Sequence, residues 1–184
     1  MSELDLHALA AAQSPILFLD VDGVLNTSQM PGKHALHPKL LRRLKGVVDA
    51  TACDIVLSTT WRLQRENEGV LLAALEAAGI PRATVAGRTP SLGVQDLRWH
   101  TGGAKRLGEA RRAAEIVAYL DARPEITTFA VVDDIDVLAV DDETMRAKLA
   151  PHFVRTMVES GLSERCCERL GAVLRGTPIP QKSC

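Results

Sequence analysis

Short continuous apolar runs alternate along this chain with longer amphipathic stretches, and that alternation leaves few folds open. "PILFLD" (residues 15–20), "CDIVLS" (53–58) and "TTFAVVDD" (127–134) each hold a continuous apolar run (16–19, 55–57 and 129–132) that closes in polar residues. Such runs are the pattern of strands buried on both faces. "HPKLLRRLKGVVDA" follows the first run, with Pro38 in a first helical turn and Leu40, Leu44, Val47 and Val48 on one stripe. A helix over residues 63–78 is stopped by Gly79 and Pro81, and another runs from Lys105 or Glu109 to Ala122, ahead of Pro124. "ATVAG" (83–87) and "HFVRT" (152–156) complete five strands, and Ser163 caps a last helix that reaches about Arg175. Strand and helix in this order predict an α/β fold, a three-layer doubly wound parallel sheet with helices on both faces.

Sheets of that kind bind ligands beyond the carboxyl ends of their strands. The first strand ends in Asp20 and Asp22, the second in Ser58, Thr59 and Thr60, and the fourth in Asp133 and Asp134. One edge therefore collects four carboxylates and several hydroxyls. Like charges at that density call for a cation, and hard oxygen donors with room for water and phosphate suit Mg²⁺. A basic residue from the segment before the fourth strand would complete a phosphoryl-transfer site by composition.

At 184 residues, with 46% hydrophobic and 24% charged residues and a net charge of −1, the composition is that of a globular chain with one core. We expect a single domain over 1–184, with an extension at 1–14, a core at 15–165 and a tail at 176–184. No linker or repeat divides it. Aromatic residues are only 3%, too few for a base-stacking platform. Charge is segregated: residues 98–112 carry five Arg or Lys against one Glu, and residues 133–143 carry six acids and no base. The four cysteines lack metal-ligand spacing, which favours reduced thiols. The first residues carry acids where a signal peptide needs bases, and no apolar run is long enough to span a membrane. A cytoplasmic protein without membrane contact is the expectation.

The ordered motifs resemble those of the haloacid dehalogenase-like (HAD) superfamily, whose members are mostly Mg²⁺-dependent phosphatases. "FLDVDGVL" matches the DxDx(T/V)(L/V) signature, "IVLSTTWR" the strand ending in Ser or Thr, and "FAVVDDID" the strand ending in paired acids. The finer pattern adds "GRTP" at 87–90, R-x-x-E-I at 112–116 and the closing "HFVRT…GLSE". It is similar to the capless HAD domains of Swiss Army Knife-type RNA-repair proteins over about residues 15–165. The resemblance implies that Asp20 is the nucleophile that forms an aspartyl-phosphate. It implies that Asp22 protonates the leaving oxygen and then activates water. Mg²⁺ would be held by Asp20, the backbone carbonyl of Asp22 and Asp133, with Asp134 as a further ligand, while Ser58 would hydrogen-bond a phosphoryl oxygen.

The family's third motif is usually a lysine. Here Arg112 is the preferred equivalent, with Lys105 and Arg111 as alternatives. Substrate contacts are expected from Gly23, Thr59, Arg62, Arg88 and Lys105. Thr59 and Thr60 are also suited to a turn, and Trp61 and Arg62 either line the site or, as an aromatic after a strand more often does, join the core. Asp136 reads as a loop acid, and His34, His37 and His152 as structural, with His37 capping a helix. A response-regulator receiver places its acid pair first and its phospho-acceptor after the third strand, which is not the order here. A Mg²⁺ nuclease needs no DxD spacing, and a dehalogenase lacks the second acid. The spans 26–55 and 61–112 are too short to fold an independent lid. The site should be open, which suits a phosphate at the end of a nucleic acid or nucleotide. A phosphoprotein or small-metabolite phosphatase and a non-catalytic HAD-like binding domain are the alternatives. Oligomeric state is not written in the sequence.

Overall fold

A computed structural model describes residues 13–30, 35–93 and 104–177, the side chains of 104–106 excepted. Five strands form one parallel sheet: β1 (Ile16–Leu19), β2 (Asp54–Leu57), β3 (Val85–Arg88), β4 (Phe129–Asp133) and β5 (Phe153–Arg155), in the order β3-β2-β1-β4-β5. The helices are α1 (Pro38–Thr51), α2 (Arg65–Ala77), α3 (Ala104–Asp121), α4 (Glu143–Leu149) and α5 (Glu164–Leu174). The chain winds outward from β1 to β3, then crosses back to place β4 on the other side of β1. The switch point of this doubly wound sheet therefore falls between β1 and β4.

Alternation along the strands assigns the layers. Leu17 and Leu19 pack with Leu40, Leu44 and Val47 of α1, Leu71 and Leu75 of α2, and Leu170 and Val173 of α5. Ile16 and Phe18 face the opposite way, towards Ala113, Ile116 and Tyr119 of α3 and Met145 and Leu149 of α4. The two-residue period of a strand sends neighbours to opposite layers, so a helix covers each face. Phe18 meets Tyr119 of α3 edge-on at 5.5 Å and Phe129 of β4 edge-on at 6.0 Å, an aromatic cluster between α3 and the sheet centre.

Local signals set most of the boundaries. His37 accepts a hydrogen bond from the Lys39 amide through Nδ1, and Pro38 follows it, so α1 starts where its cap and proline dictate. Ser163 accepts from the Cys166 amide and starts α5. The expected helix at 63–78 is a 3₁₀ turn over Thr60–Leu63 followed by α2, because Thr59 caps that turn separately. The third strand begins two residues later than expected and ends one later, at Arg88, carried by its ladder to β2. Helix α4 is an element the sequence reading missed. Asp142 caps it by accepting from the Met145 amide, inside a stretch that reads as an acidic loop. Among the described residues, the spans between β1 and β2 and between β2 and β4 hold no separate lid. None of the described helices is long and apolar enough to cross a membrane.

Candidate active site

Strand register brings the polar residues together. Leu19 of β1 pairs with Leu57 of β2 on one side and Val132 of β4 on the other. The next residues, Asp20, Ser58 and Asp133, thus stand side by side at the carboxyl edge. Hydrogen bonds from the Ser58 amide to the Leu19 carbonyl (2.9 Å) and from the Asp20 amide to the Val132 carbonyl (3.1 Å) continue the ladder to this point. Phe18, Val56 and Val131 all face the α3 layer, so side chains two residues on leave the edge on that same face. Helix α3 is consequently the element that can answer them with a charge.

It does so with Arg112. Its Nη1 lies 2.9 Å from Asp20 Oδ1 and 2.6 Å from Asp133 Oδ2, and also approaches the Ser58 carbonyl. Asp133 uses its other oxygen to accept from the Ile135 amide at 3.1 Å. All three charged groups are buried. Burial raises the Asp20 carboxyl pKa above the ordinary value, against the opposing pull of Arg112. Burial and then the Asp20 charge hold Asp133 well above it, and burial with Asp20 also raises Asp134. Burial disfavours the Arg112 cation, but Asp133 and Asp20 outweigh it and raise its pKa. One guanidinium among three acids leaves the edge short of positive charge.

Asp20, Asp133 and Asp134 can each offer an oxygen such that all three lie within 4.8 Å of one another. Three hard donors in one cluster fit a small divalent cation of the Mg²⁺ type. The Ser58 hydroxyl is buried beside them with no hydrogen-bond partner. A native chain rarely leaves a buried hydroxyl unsatisfied unless something else completes it.

Asp22 is held apart from this cluster. It is exposed, and its oxygens accept from Asn26 Nδ2 at 2.8 Å and from the Trp61 indole nitrogen at 2.9 Å. The turn that aims it depends on Gly23, whose φ of +70° belongs to the left-handed region and whose added Cβ would stand 2.6 Å from the Asp134 side chain. Thr156, buried at the end of β5, donates its hydroxyl to the Gly23 carbonyl at 2.8 Å. Arg155 donates to the Asp134 carbonyl at 3.1 Å. The sheet's far strand thus braces both acidic turns.

This strand-end constellation can be compared with known proteins. Residues 16–167 match the family model described as the HAD domain in Swiss Army Knife RNA repair proteins. The chain belongs to this HAD family. Searches of curated proteins and of solved structures returned no match. HAD domains are of hydrolase or phosphatase type, and the acid cluster is consistent with that class.

Against the HAD pattern, the structure redistributes several of the expected contacts. Arg62, expected as a substrate contact, is drawn into an internal tie. It is buried, its Nε donates to the Thr89 carbonyl at 3.0 Å, Nη1 to the Thr59 carbonyl at 2.6 Å, and Nη2 to Pro90 (2.8 Å) and Glu115 (2.6 Å). Four of the five N–H donors of this guanidinium are thus spent inside the protein. Thr59 likewise spends its hydroxyl oxygen on the Trp61 amide, as a turn cap. Arg88 pairs with Glu68 of α2. Gly23 shapes the acidic turn. The Arg111 Nε is buried without a partner, and the Lys105 side chain and residues 98–103 of the basic stretch lie outside the described residues. Four residues were not anticipated: Asn26, Trp61 as an Asp22 donor, Thr156 and Glu115. Glu115 carried a sequence signal, since it lies three residues after Arg112, one helical turn along the same face, and Trp61 carried one as an aromatic directly after a strand end.

Proposed function

We propose that this chain is a Mg²⁺-dependent phosphatase that works through an aspartyl-phosphate on Asp20 and acts on phosphate ends of nucleic acid. The observation that supports this most is the cluster of Asp20, Asp133 and Asp134 with Arg112 and the unpartnered Ser58 hydroxyl on one buried strand edge. An Asp20 oxygen attacks phosphorus as the bond to the leaving oxygen breaks, and Asp22 gives that oxygen its proton. Asp22 then takes a proton from water, whose oxygen attacks the phosphoryl group, releases phosphate and frees Asp20. Ser58 and Arg112 hydrogen-bond the non-bridging oxygens, where negative charge must be balanced. Asp20, Asp133, Asp134 and the Asp22 carbonyl would hold the ion, which neutralises phosphate charge when bound. Trp61 and Asn26 orient Asp22 between its two proton transfers.

The substrate class rests on two supports. The family is described from RNA repair proteins. The described residues also form no lid over the strand ends, which admits a phosphate that terminates a polymer. The test is turnover of 5′- and 3′-phosphorylated oligonucleotides, nucleotides, phosphopeptides and small phosphoesters, with Mg²⁺ or chelator, in wild type and Asp20→Asn. Phosphate release from oligonucleotide ends that needs both Mg²⁺ and Asp20 is expected. Metal-independent release, or an active Asp20→Asn variant, would sink the mechanism. A preference for phosphopeptides or metabolites would replace the substrate, and no release from any substrate would leave a binding domain.

A further inference from the structure

Behind the acid cluster lies a second charged pair that the chemistry above does not use. Arg62 and Glu115 are joined at 2.6 Å with side chains only 3% and 4% exposed. Two charges so far from water are held only where geometry compensates their lost hydration, and this pair is bonded on both sides. Glu115 accepts from Arg62 with one oxygen and from the Leu92 amide, at 3.1 Å, with the other. Arg62 reaches three backbone carbonyls, those of Thr59, Thr89 and Pro90. The pair therefore joins the turn after β2, the loop after β3 and helix α3.

Each of those segments borders the site. Thr59 follows Ser58, so the carbonyl gripped by Arg62 lies one residue beyond the unpartnered hydroxyl. Glu115 lies one helical turn beyond Arg112, on the element that delivers the guanidinium to Asp20. Arg112 also approaches the Ser58 carbonyl. A closed circuit results, from Arg112 to the Ser58–Thr59 backbone, on to Arg62, across to Glu115 and back along α3. In a circuit of this kind neither Ser58 nor Arg112 shifts without disturbing the other.

We infer that Arg62 and Glu115 are positioning residues that lock the Ser58 hydroxyl and the Arg112 guanidinium in one register against Asp20. The inference rests on the phosphatase reading, and neither residue touches substrate. Its consequence is a reaction-centre effect: loss of the bracket lowers kcat while KM, set by the rest of the substrate, stays close to wild type. A displacement of roughly 1 Å at such a centre costs about a hundred-fold in rate.

The test uses Arg62→Lys and the double variant Arg62→Met/Glu115→Leu. Lysine keeps a positive charge for Glu115 but cannot span three carbonyls, and the apolar pair removes both charges together, so that neither is left buried alone. Kinetics are read beside calorimetric binding of tungstate, an inert stand-in for the phosphoryl group, in Mg²⁺ buffer, with circular dichroism to establish the fold. Expected for folded Arg62→Lys is a ten- to hundred-fold fall in kcat (about the range for a displaced group), little change in KM, and tungstate affinity weakened in step. Wild-type kcat and wild-type tungstate affinity in either folded variant overturn the bracket. If wild type turns over nothing, the phosphatase reading fails by itself, and tungstate binding still decides whether the pair organises an oxyanion site.

Discussion

Asp133 shows how one buried carboxylate ties the chemistry to the stability of the chain. Its folded pKa is raised, first by burial and then by Asp20. Between the ordinary carboxylate value and that raised value the folded state holds more protons than the unfolded one, so stability falls as pH rises through the window. The metal-free protein should therefore lose melting temperature from about pH 4 upward, and Asp133→Asn should flatten that slope while Arg112 keeps Asp20 as its partner. Thermal scans in chelator across the pH range check this. Trp61→Phe removes one donor from Asp22 and keeps an aromatic ring, though a smaller one at this buried position. It should cut kcat by about ten-fold, less than the hundred-fold or more of losing the acid itself, and cost about 1–2 kcal/mol of stability through the smaller core side chain. Steady-state kinetics and a melting curve on one preparation separate the two effects.

At the scale of elements, what was legible followed from periodicity and from caps. The apolar runs of β1, β2 and β4 and the caps at His37 and Ser163 are local signals, and the structure obeys them. Helix α4 was hidden because Glu143–Leu149 is only seven residues long and follows an acidic run. Its Asp142 cap nevertheless answers the Met145 amide at 2.9 Å. Asp142→Ala should lower unfolding free energy by about 1 kcal/mol, measured by urea denaturation, and leave kcat unchanged. The site was half legible for a similar reason. Residues at strand ends could be placed by register, whereas the bonds of Asp22 to Trp61, Gly23 to Thr156 and Arg62 to Thr89, Pro90 and Glu115 join segments far apart in sequence. Arg62 directly follows an aromatic at a strand end, which resembles a site lining in sequence; only the carbonyls of Thr89 and Pro90 and the carboxylate of Glu115 reveal that it points inward.

For the molecule as a whole, the shortage of positive charge at the strand edge predicts a response to metal. Mg²⁺ should raise the melting temperature at neutral pH, where the acids are most strained by their mutual charge. The increment should shrink towards pH 5 and in Asp133→Asn. Differential scanning fluorimetry with a magnesium titration reads both, independently of turnover. The absence of a lid among the described residues adds a second expectation, that kcat/KM for a terminal phosphate changes little as an oligonucleotide is lengthened beyond the first few nucleotides.

The buried tie between Arg62 and Glu115 also constrains how such a chain can be inherited. Either side chain alone leaves an uncompensated charge inside the protein, so single replacements at position 62 or 115 carry a penalty that a joint replacement avoids. Related sequences should consequently lose the two together or keep the two together, and chains that have exchanged both should have changed the loop at 89–92 as well.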